Sequence, residues 1–384
     1  MKTNTITFPS VFETAYGNAE NSARDLLNGI KIKKDDAWYL VGNMAKKGAV
    51  NPGRVVNASP EEEDFEILFK AAIINALDKV QQPISITMGF PLATYNVYKA
   101  AAEAYLAKKH LMVEYDTRTF NINGGIKKGL FDIENFEVIP EIVGGIIGIK
   151  KTLETPPPEN FIALSFGFGT VEGGMATANG MIQRTCFSSH GIRYVINNLT
   201  RELSTQYYLE MKNEHQIDEA FMKGNLFTNR KRIDLANYRK ELLTQYYREV
   251  VSPLMRRYFT DTDFENCEKI YLLGGGSHYQ ELVDAVAKEF EGIMPVEVVP
   301  NPENMVSLGY LYNSLRISDS KQARCVGMDL GNATSSVSVF STVPVTPTVA
   351  PTSNVSTTNT TPVIADITPA ITNATTSAAN GVKS

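Results

Sequence analysis

Residues 325–334 read Cys-Val-Gly-Met-Asp-Leu-Gly-Asn-Ala-Thr. This pattern predicts an apolar strand that ends at Asp329 and is followed by a glycine turn. Glycine lets backbone N–H groups approach and surround phosphate oxygens, and a carboxylate at a strand end can hold a hydrated Mg²⁺. Because glycine turns after strands are common, this stretch alone is a weak signal for a phosphate site.

Two other segments have the same design. Residues 162–170 read Ile-Ala-Leu-Ser-Phe-Gly-Phe-Gly-Thr, and residues 270–277 read Ile-Tyr-Leu-Leu-Gly-Gly-Gly-Ser. Three such turns in one chain favour a nucleotide cleft over three unrelated turns. Competing motifs do not fit, because residues 148–152 lack the Gly-Lys pair of a Walker A loop. Glu172 also stands where a dinucleotide fingerprint requires its third glycine.

The sequence between these turns alternates between strand and helix patterns, which indicates an α/β architecture. The predicted strands are residues 38–41, 84–88, 136–139, 161–165, 270–273 and 325–329, and the predicted helices are residues 60–79, 94–108, 192–203, 232–258 and 303–315. Pro253 is expected to kink or end the longest helix. The basic run at residues 230–232 is expected to open that helix as a solvated start, and contact with nucleotide or with a neighbouring subunit is the alternative.

Composition sets outer limits on the class of protein. The chain has 384 residues, of which 43% are hydrophobic and 21% charged, as in ordinary soluble proteins with room for two cores. The net charge of -5 argues against a general nucleic-acid-binding surface. Three widely spaced cysteines predict neither a disulfide framework nor a zinc site. Without a signal peptide or an apolar run of about 20 residues, we expect a cytoplasmic protein that does not contact membranes.

The three glycine turns resemble motifs of the actin/sugar-kinase/DnaK-type ATPase superfamily. Residues 329–334 resemble its first phosphate loop, residues 165–172 its second phosphate loop, and residues 273–277 its adenosine motif. Residues 138–145 and 301–310 resemble its two connecting segments. Within the superfamily the chain resembles the bacterial actin-like plasmid-segregation ATPases of the ParM type, and the segments that carry this narrower likeness are residues 84–95, 140–141 and 188–191.

The chain departs from the family pattern in its order and in single residues. The first phosphate loop, which opens the chain in the family, comes last here, so the resemblance implies a circular permutation. Ser165 stands where the family has an Asp, which predicts weaker Mg²⁺ positioning and slow hydrolysis. Glu172 replaces another Asp, and Ser336 stands where some relatives have a Lys.

The resemblance implies a two-domain actin-like (ribonuclease-H-like) α/β fold, circularly permuted, with a nucleotide cleft between the domains. Domain I is expected to comprise residues 1–155 plus 308–340, and domain II residues 156–307. Residues 341–384 are mostly Thr, Ser, Pro, Ala, Val and Asn, and they predict a disordered tail because they lack apolar surface to bury.

The resemblance also implies roles for particular residues. Asp329 would hold the hydrated Mg²⁺, and Glu141 would position the attacking water. The expected nucleotide-binding set comprises Asp329, Gly331, Asn332, Thr334, Ser165, Gly167, Gly169, Thr170, Gly274, Gly275, Gly276 and Ser277.

The function implied by the resemblance is that of a slow ATPase which binds ATP, or GTP, with Mg²⁺ and polymerises with itself into filaments. It would act in DNA segregation through a DNA-binding adaptor, without touching nucleic acid directly, or in cell shape. The alternatives left open are a small-molecule kinase, a non-filamentous adaptor and an inactive nucleotide binder. A kinase should carry an acidic base near a sugar-sized pocket, and Glu141 is the only clear acid of that kind.

Overall fold

The structure is a computed structural model that describes residues 1–341 except positions 16, 18, 49–51, 55–58, 208 and 210–212. The predicted tail therefore lies outside the described residues from position 342 onward. The first part contains β1 (Thr3–Pro9), β2 (Val11–Thr14), β3 (Lys31–Lys34), β4 (Ala37–Val41), α1 (Asn43–Gly48), β5 (Gly53–Arg54), α2 (Glu63–Ile74), β6 (Ile84–Phe90), α3 (Leu92–Leu106), β7 (His110–Asp116), β8 (Ile126–Pro140) and α4 (Glu141–Thr152). The second part contains β9 (Phe161–Phe166), β10 (Thr170–Thr177), β11 (Gly180–His190), α5 (Arg193–Gln206), α6 (Glu214–Lys223), β12 (Asn225–Thr228), β13 (Lys231–Asp234), α7 (Ala236–Tyr246), α8 (Ser252–Tyr258), α9 (Asp261–Asn266), β14 (Ile270–Leu273), α10 (Gln280–Glu289) and β15 (Val296–Val298). The last part contains α11 (Met305–Ile317), β16 (Cys325–Leu330) and β17 (Thr334–Phe340).

Two large sheets organise these elements. Within the described residues, one sheet has the strand order β1-β17-β16-β6-β8-β7-β3-β4-β2-β5, and the other has the order β11-β10-β9-β14-β15. All seven residues of β6 are buried, as expected for a parallel strand covered by helices on both faces. Each sheet has its own hydrophobic core, and a third cluster around Tyr310 joins α4 and α11 to β9 and β14. This architecture confirms the predicted α/β class.

The last two strands of the described chain lie between β1 and β6 in the first sheet. β16 runs parallel to β6, with Cys325 opposite Ser85 and Met328 opposite Met88. β17 returns antiparallel to β16 and pairs on its other side with β1. The start and the end of the folded chain are therefore neighbours in one sheet, which places the loop after β16 beside the end of β1.

Most predicted elements are present, with shifted ends. The helix predicted at residues 60–79 is shorter, because α2 covers Glu63–Ile74. Pro253 does not break the long helix, because a wider π turn over Tyr247–Val251 precedes it and accommodates the missing N–H. No helix among the described residues is both long and apolar enough to cross a membrane. The three cysteines are free thiols.

The prediction for the basic run at residues 230–232 is wrong. This run forms the turn and second strand of the hairpin β12–β13, and helix α7 begins only at Ala236. Asn229 and Arg230 have positive φ angles of 49° and 59°, which is the geometry of a two-residue hairpin turn. Leu226 packs into the core from β12, and Ile233 packs against it from β13, so the two strands bury one face.

Candidate functional site

The three glycine turns meet at a cavity of about 350 Å³ between the two sheets. They lie at the carboxyl ends of β16, β9 and β14, and we refer to them as the first loop (residues 331–333), the second loop (167–169) and the third loop (274–278). Eleven of the twelve predicted nucleotide-binding residues line the cavity, as does Glu141. Ser277 does not line it, because its buried hydroxyl donates to the Leu273 carbonyl at 2.9 Å and closes the third loop.

The second loop turns its N–H groups toward the cavity. Its three carbonyl oxygens, from residue 167 to residue 169, accept hydrogen bonds of 3.1, 2.8 and 3.0 Å from the N–H groups of Ile192, Arg193 and Gly191 at the start of α5. In a trans peptide the C=O and the following N–H point in opposite directions. The N–H groups of residues 168–170 therefore point away from α5, toward the side where these residues line the cavity.

The first loop is held in the same way by Ser10, which follows β1. The Ser10 N–H donates to the Ala333 carbonyl at 2.9 Å, and the Ser10 hydroxyl donates to the Gly331 carbonyl at 2.5 Å. By the same peptide geometry, the N–H groups of Asn332 and Thr334 point away from Ser10. The two loops thus offer opposed sets of N–H donors, an arrangement suited to anions.

Replacement of Ser10 by Ala is expected to weaken nucleotide binding about fivefold. The Ser10 hydroxyl is fully buried and also bonds the Ser335 hydroxyl at 2.9 Å, and loss of the neutral hydrogen bond that positions the Gly331 carbonyl costs about 1 kcal/mol. Titration of a fluorescent nucleotide analogue measures the change. Ser22→Ala is the control, because the Ser22 hydroxyl bonds the nearby Ala19 carbonyl far from the loop. Equal losses in both variants would contradict the role of Ser10.

The first and second loops touch each other. A Cβ atom placed on Gly169 would overlap the side-chain amide of Asn332, and one placed on Gly331 would approach the Thr334 carbonyl to 2.7 Å. Glycine is required at position 169 because the two hairpins, one from each sheet, approach closely there, and at position 331 because the β16–β17 turn closes tightly on itself. Asn332 and Gly169 therefore mark the contact between the two sides of the cavity.

Two of the three glycines in the third loop have different surroundings. Gly274 has a φ of +83°, and its N–H donates to the Pro302 carbonyl at 2.8 Å. Gly275 lines the cavity and would place a Cβ in open space. His278, also in the lining, lies 2.8 Å from the Glu303 carboxylate through its Nε2 atom. A flat, glycine-lined wall of this kind can accept the face of an aromatic base.

Three carboxyl groups interact beside the cavity: Asp329 and Glu141 line it and are partly buried, and Glu172 behind them is fully buried. Burial raises the pKa of Asp329 to about 7 and that of Glu172 to about 7. The pKa of Glu141, at the first position of α4, is raised well above its ordinary value by burial and by the charges of Asp329 and Glu172. Carboxyl groups with raised pKa values in a cleft are suited to proton transfer or to a cation.

Glu172 is a site residue that the prediction did not include. One carboxylate oxygen accepts from the Leu92 N–H at 2.5 Å and the other from the Ile142 N–H at 3.2 Å, at the first turns of α3 and α4. The carboxylate on β10 therefore fixes the helix that carries Glu141. Glu172 also stands directly opposite Ser165 in the β9–β10 pair, so both side chains share one face of the sheet.

The carboxylate arrangement fits a hydrated rather than a directly chelated metal ion. Within the part of the chain that the structure describes, no group of three or more His, Cys, Asp or Glu side chains is placed to hold an ion directly. Mg²⁺ commonly keeps several waters and takes one or two carboxylates together with phosphate oxygens. Asp329 and Glu141 both line the cavity beside the loops and meet that need.

Ion pairs connect the two sides above the cavity. Arg54 of β5 bonds Asp218 of α6 at 2.9 Å, and Lys46 of α1 pairs with Glu219. The Arg54 guanidinium also stacks over the Phe168 ring of the second loop, 4.2 Å from its centroid. Arg54 therefore contacts both the ion pair that joins the two sides of the cavity and the second loop.

His215 makes this contact sensitive to acid. Burial, together with the charges of Arg54 and Lys46, lowers the pKa of His215 to about 4. The unfolded chain takes up a proton near pH 6.5, but the folded chain resists it, so stability is full above pH 6.5 and falls toward pH 4. Between pH 7 and 5 we expect the melting temperature of wild type to fall about 2–4 °C more than that of His215→Gln. Thermal melts across this range measure it, and His110→Gln, at an exposed histidine, should behave as wild type.

The glycine loops can be recognised in the sequence, but the residues that hold them in place cannot be recognised there as such. Asp329, Glu141 and the glycines are recognisable because their chemistry is local to a strand end. Ser10, Glu172 and Arg54 act through partners far along the chain, and their residue types are unremarkable where they stand. Glu172 alone had a signal, since it replaces a family Asp, but nothing in the sequence shows that it bonds two helices.

Comparison with known proteins gives one sequence match, in the first part of the chain. Residues 1–144 match the family model "Actin like proteins N terminal domain". No curated protein sequence matches the chain significantly.

Several solved structures share the fold at low sequence identity. The archaeal actin homologue Ta0583 superposes with a TM-score of 0.62 and 17% identity, covering 80% of this chain and 92% of its own. Its complex with ADP gives a TM-score of 0.57 and 17% identity, covering 82% of this chain and 92% of its own. A 15-stranded ParM filament from Clostridium botulinum gives a TM-score of 0.62 and 16% identity, covering 80% of this chain and 92% of its own.

Proposed function

We propose that this chain, whose residues 1–144 match the model of the actin-like N-terminal domain and whose fold resembles that of actin homologues, binds ATP, or GTP, with Mg²⁺ between its two sheets and polymerises with itself in response. One observation carries the proposal: two loops, one from each sheet, present opposed N–H groups beside the partly buried Asp329. A nucleotide held by both loops would favour the closed arrangement, because it gains contacts with each side only when they are close.

Each part of the cavity would contact a different part of the nucleotide. The N–H groups of the first and second loops would hold the phosphates, and the third loop would pack against the base. Bound Mg²⁺ would neutralise phosphate charge, and Asp329 would hold it through water. Glu141 would orient a water molecule and take its proton, with Glu172 fixing the start of α4. Ser165 leaves one carboxylate fewer than the family pattern, so we propose slow hydrolysis.

Self-association is supported by the likeness in fold to the 15-stranded ParM filament from Clostridium botulinum. Head-to-tail contacts that do not close into a ring produce such filaments. In the cell the polymer would act in DNA segregation through a DNA-binding adaptor, or in cell shape, within the cytoplasm.

The order of the motifs along the chain differs from the order in the family that it resembles. We propose that the chain is a circular permutation of the family order, with β16 and β17 as the displaced first strands. Its support is the position of both strands between β1 and β6. Residues 1–155 plus 308–340 would form domain I and residues 156–307 domain II. A permutation needs its old and new ends to lie near each other, and the first and last described strands, β1 and β17, pair directly.

The proposal is tested by light scattering and pelleting of the full chain, with and without ATP and Mg²⁺. We expect polymer that appears with ATP–Mg²⁺ and decays as nucleotide is hydrolysed. Asp329→Asn, which removes the charge that would hold the hydrated ion, should bind nucleotide more weakly and give little polymer. Nucleotide binding without polymer under any salt condition would instead favour a non-filamentous member of the superfamily, such as a kinase or an adaptor.

A further inference from the structure

The β12–β13 hairpin presents an exposed aromatic ring among unpaired cations. Phe227 is 59% exposed and stands opposite Arg232 across the two strands. Arg230, Lys231 and Arg232 are exposed, and none has a salt-bridge partner among the described residues. An apolar side chain held in water beside three unpaired cations is typical of an interaction surface. We call residues 225–234 the basic hairpin.

A patch of the opposite character lies elsewhere on the second part of the chain. Ile293 is 63% exposed in the turn that follows α10. Glu265 on α9, Glu268 just after that helix and Glu291 in the same turn as Ile293 are exposed, and no salt bridge involves them within the part of the chain that the structure describes. The rings of Phe264 and Phe290, 5.5 Å apart, hold α9 against the end of α10. We call these three glutamates with Ile293 the acidic end.

The two patches lie at opposite ends of the second sheet. β9 and β14 run parallel from the acidic end to the loops of the cavity, and six-residue β9 spans about 20 Å at about 3.3 Å per residue. The basic hairpin follows α6, whose Asp218 and Met222 line the cavity. One molecule therefore cannot bring its own two patches together.

We propose that the basic hairpin of one copy docks on the acidic end of the next copy. The inference rests on the proposed self-association and names the surfaces that carry it. Three cations meet three carboxylates, and each patch carries an exposed apolar side chain that an apolar-centred, polar-rimmed contact would bury. Because the patches differ and face opposite ways, the contact is heterologous and repeats along an open polymer.

A charge-swap experiment tests this contact. The hairpin variant carries Arg230→Glu and Arg232→Glu, and the end variant carries Glu265→Arg and Glu291→Arg. Each variant alone should raise the protein concentration needed for ATP-dependent pelleting at least about tenfold, because like charges then face each other. An equimolar mixture should regain pelleting, since each hairpin then finds an oppositely charged end. A chain with all four substitutions should regain it too.

A control variant reverses two charges that lie outside both patches. Lys127→Glu with Lys240→Glu makes the same charge change at exposed positions outside both patches and should pellet as wild type. Pelleting that survives both charge reversals overturns the inference, as does a mixture that fails to recover. If pelleting is lost in the hairpin variant but not in the end variant, the inference is also overturned, because the basic hairpin would then bind something else, such as nucleic acid or an adaptor.

Cross-linking separates the contact from polymerisation as a whole. Phe227→Cys and Ile293→Cys chains, mixed and treated with a short bismaleimide, should give a dimer that neither variant gives alone. The single variants report the background from half-buried Cys186. A cross-linked dimer without pelleting of wild type would uphold the contact and reject the proposed polymer. No cross-link, whether or not wild type pellets, overturns the contact.

Discussion

Replacement of Glu141 by Gln is expected to slow ATP hydrolysis at least about a hundredfold and to change nucleotide affinity little. A positioned general base contributes about 10²–10⁴-fold to such a step, and an amide cannot accept the proton. Glu141 lines the cavity at the start of α4, where burial raises its pKa toward the range in which a carboxylate accepts protons readily. Polymer formed by the variant should therefore persist after wild-type polymer has decayed.

Phosphate release in a single turnover, with nucleotide binding measured in parallel, separates the two effects. Glu303→Gln is the matched control, because Glu303 is a cavity-lining carboxylate beside His278 at the third loop. Its hydrolysis rate should stay close to that of wild type. If Glu141→Gln hydrolyses at the wild-type rate, the base lies elsewhere, and Glu172 is the first residue to replace.

Replacement of Gly274 by Ala is expected to lower the melting temperature by at least about 5 °C, since about 2–3 kcal/mol is lost in a domain of this size. The positive φ of 83° costs an L-residue about 1–2 kcal/mol. In addition, the new Cβ would lie 2.6–2.9 Å from backbone atoms of Phe166, which cannot move without disturbing β9. Differential scanning calorimetry without nucleotide measures the loss.

The neighbouring glycine supplies the matched control. A Cβ on Gly275 meets nothing within 4 Å, so Gly275→Ala should melt within about 1 °C of wild type. Because Gly275 lines the cavity, the same methyl group should weaken nucleotide binding. Equal melting temperatures for the two variants would show that the loop adapts and that the backbone contact with Phe166 does not constrain it.

Local chemistry made part of this molecule predictable. A glycine turn after an apolar strand is recognisable wherever it stands, so the three loops, Asp329 and Glu141 could be located, and the structure places them at one cavity. The basic run at residues 230–232 was misplaced, because a short hairpin before a long helix has too few alternating residues to stand out from that helix.

The sequence by itself located the three glycine turns and the carboxyl groups Asp329 and Glu141, which line one cavity. Only the tertiary structure decided what holds those residues in place. Ser10 reaches the first loop across 321 positions of chain, and Glu172 bonds α3 and α4 from the opposite sheet. Such partners are chosen by how the two sheets pack, and a single serine or glutamate carries no mark of a bond made so far away.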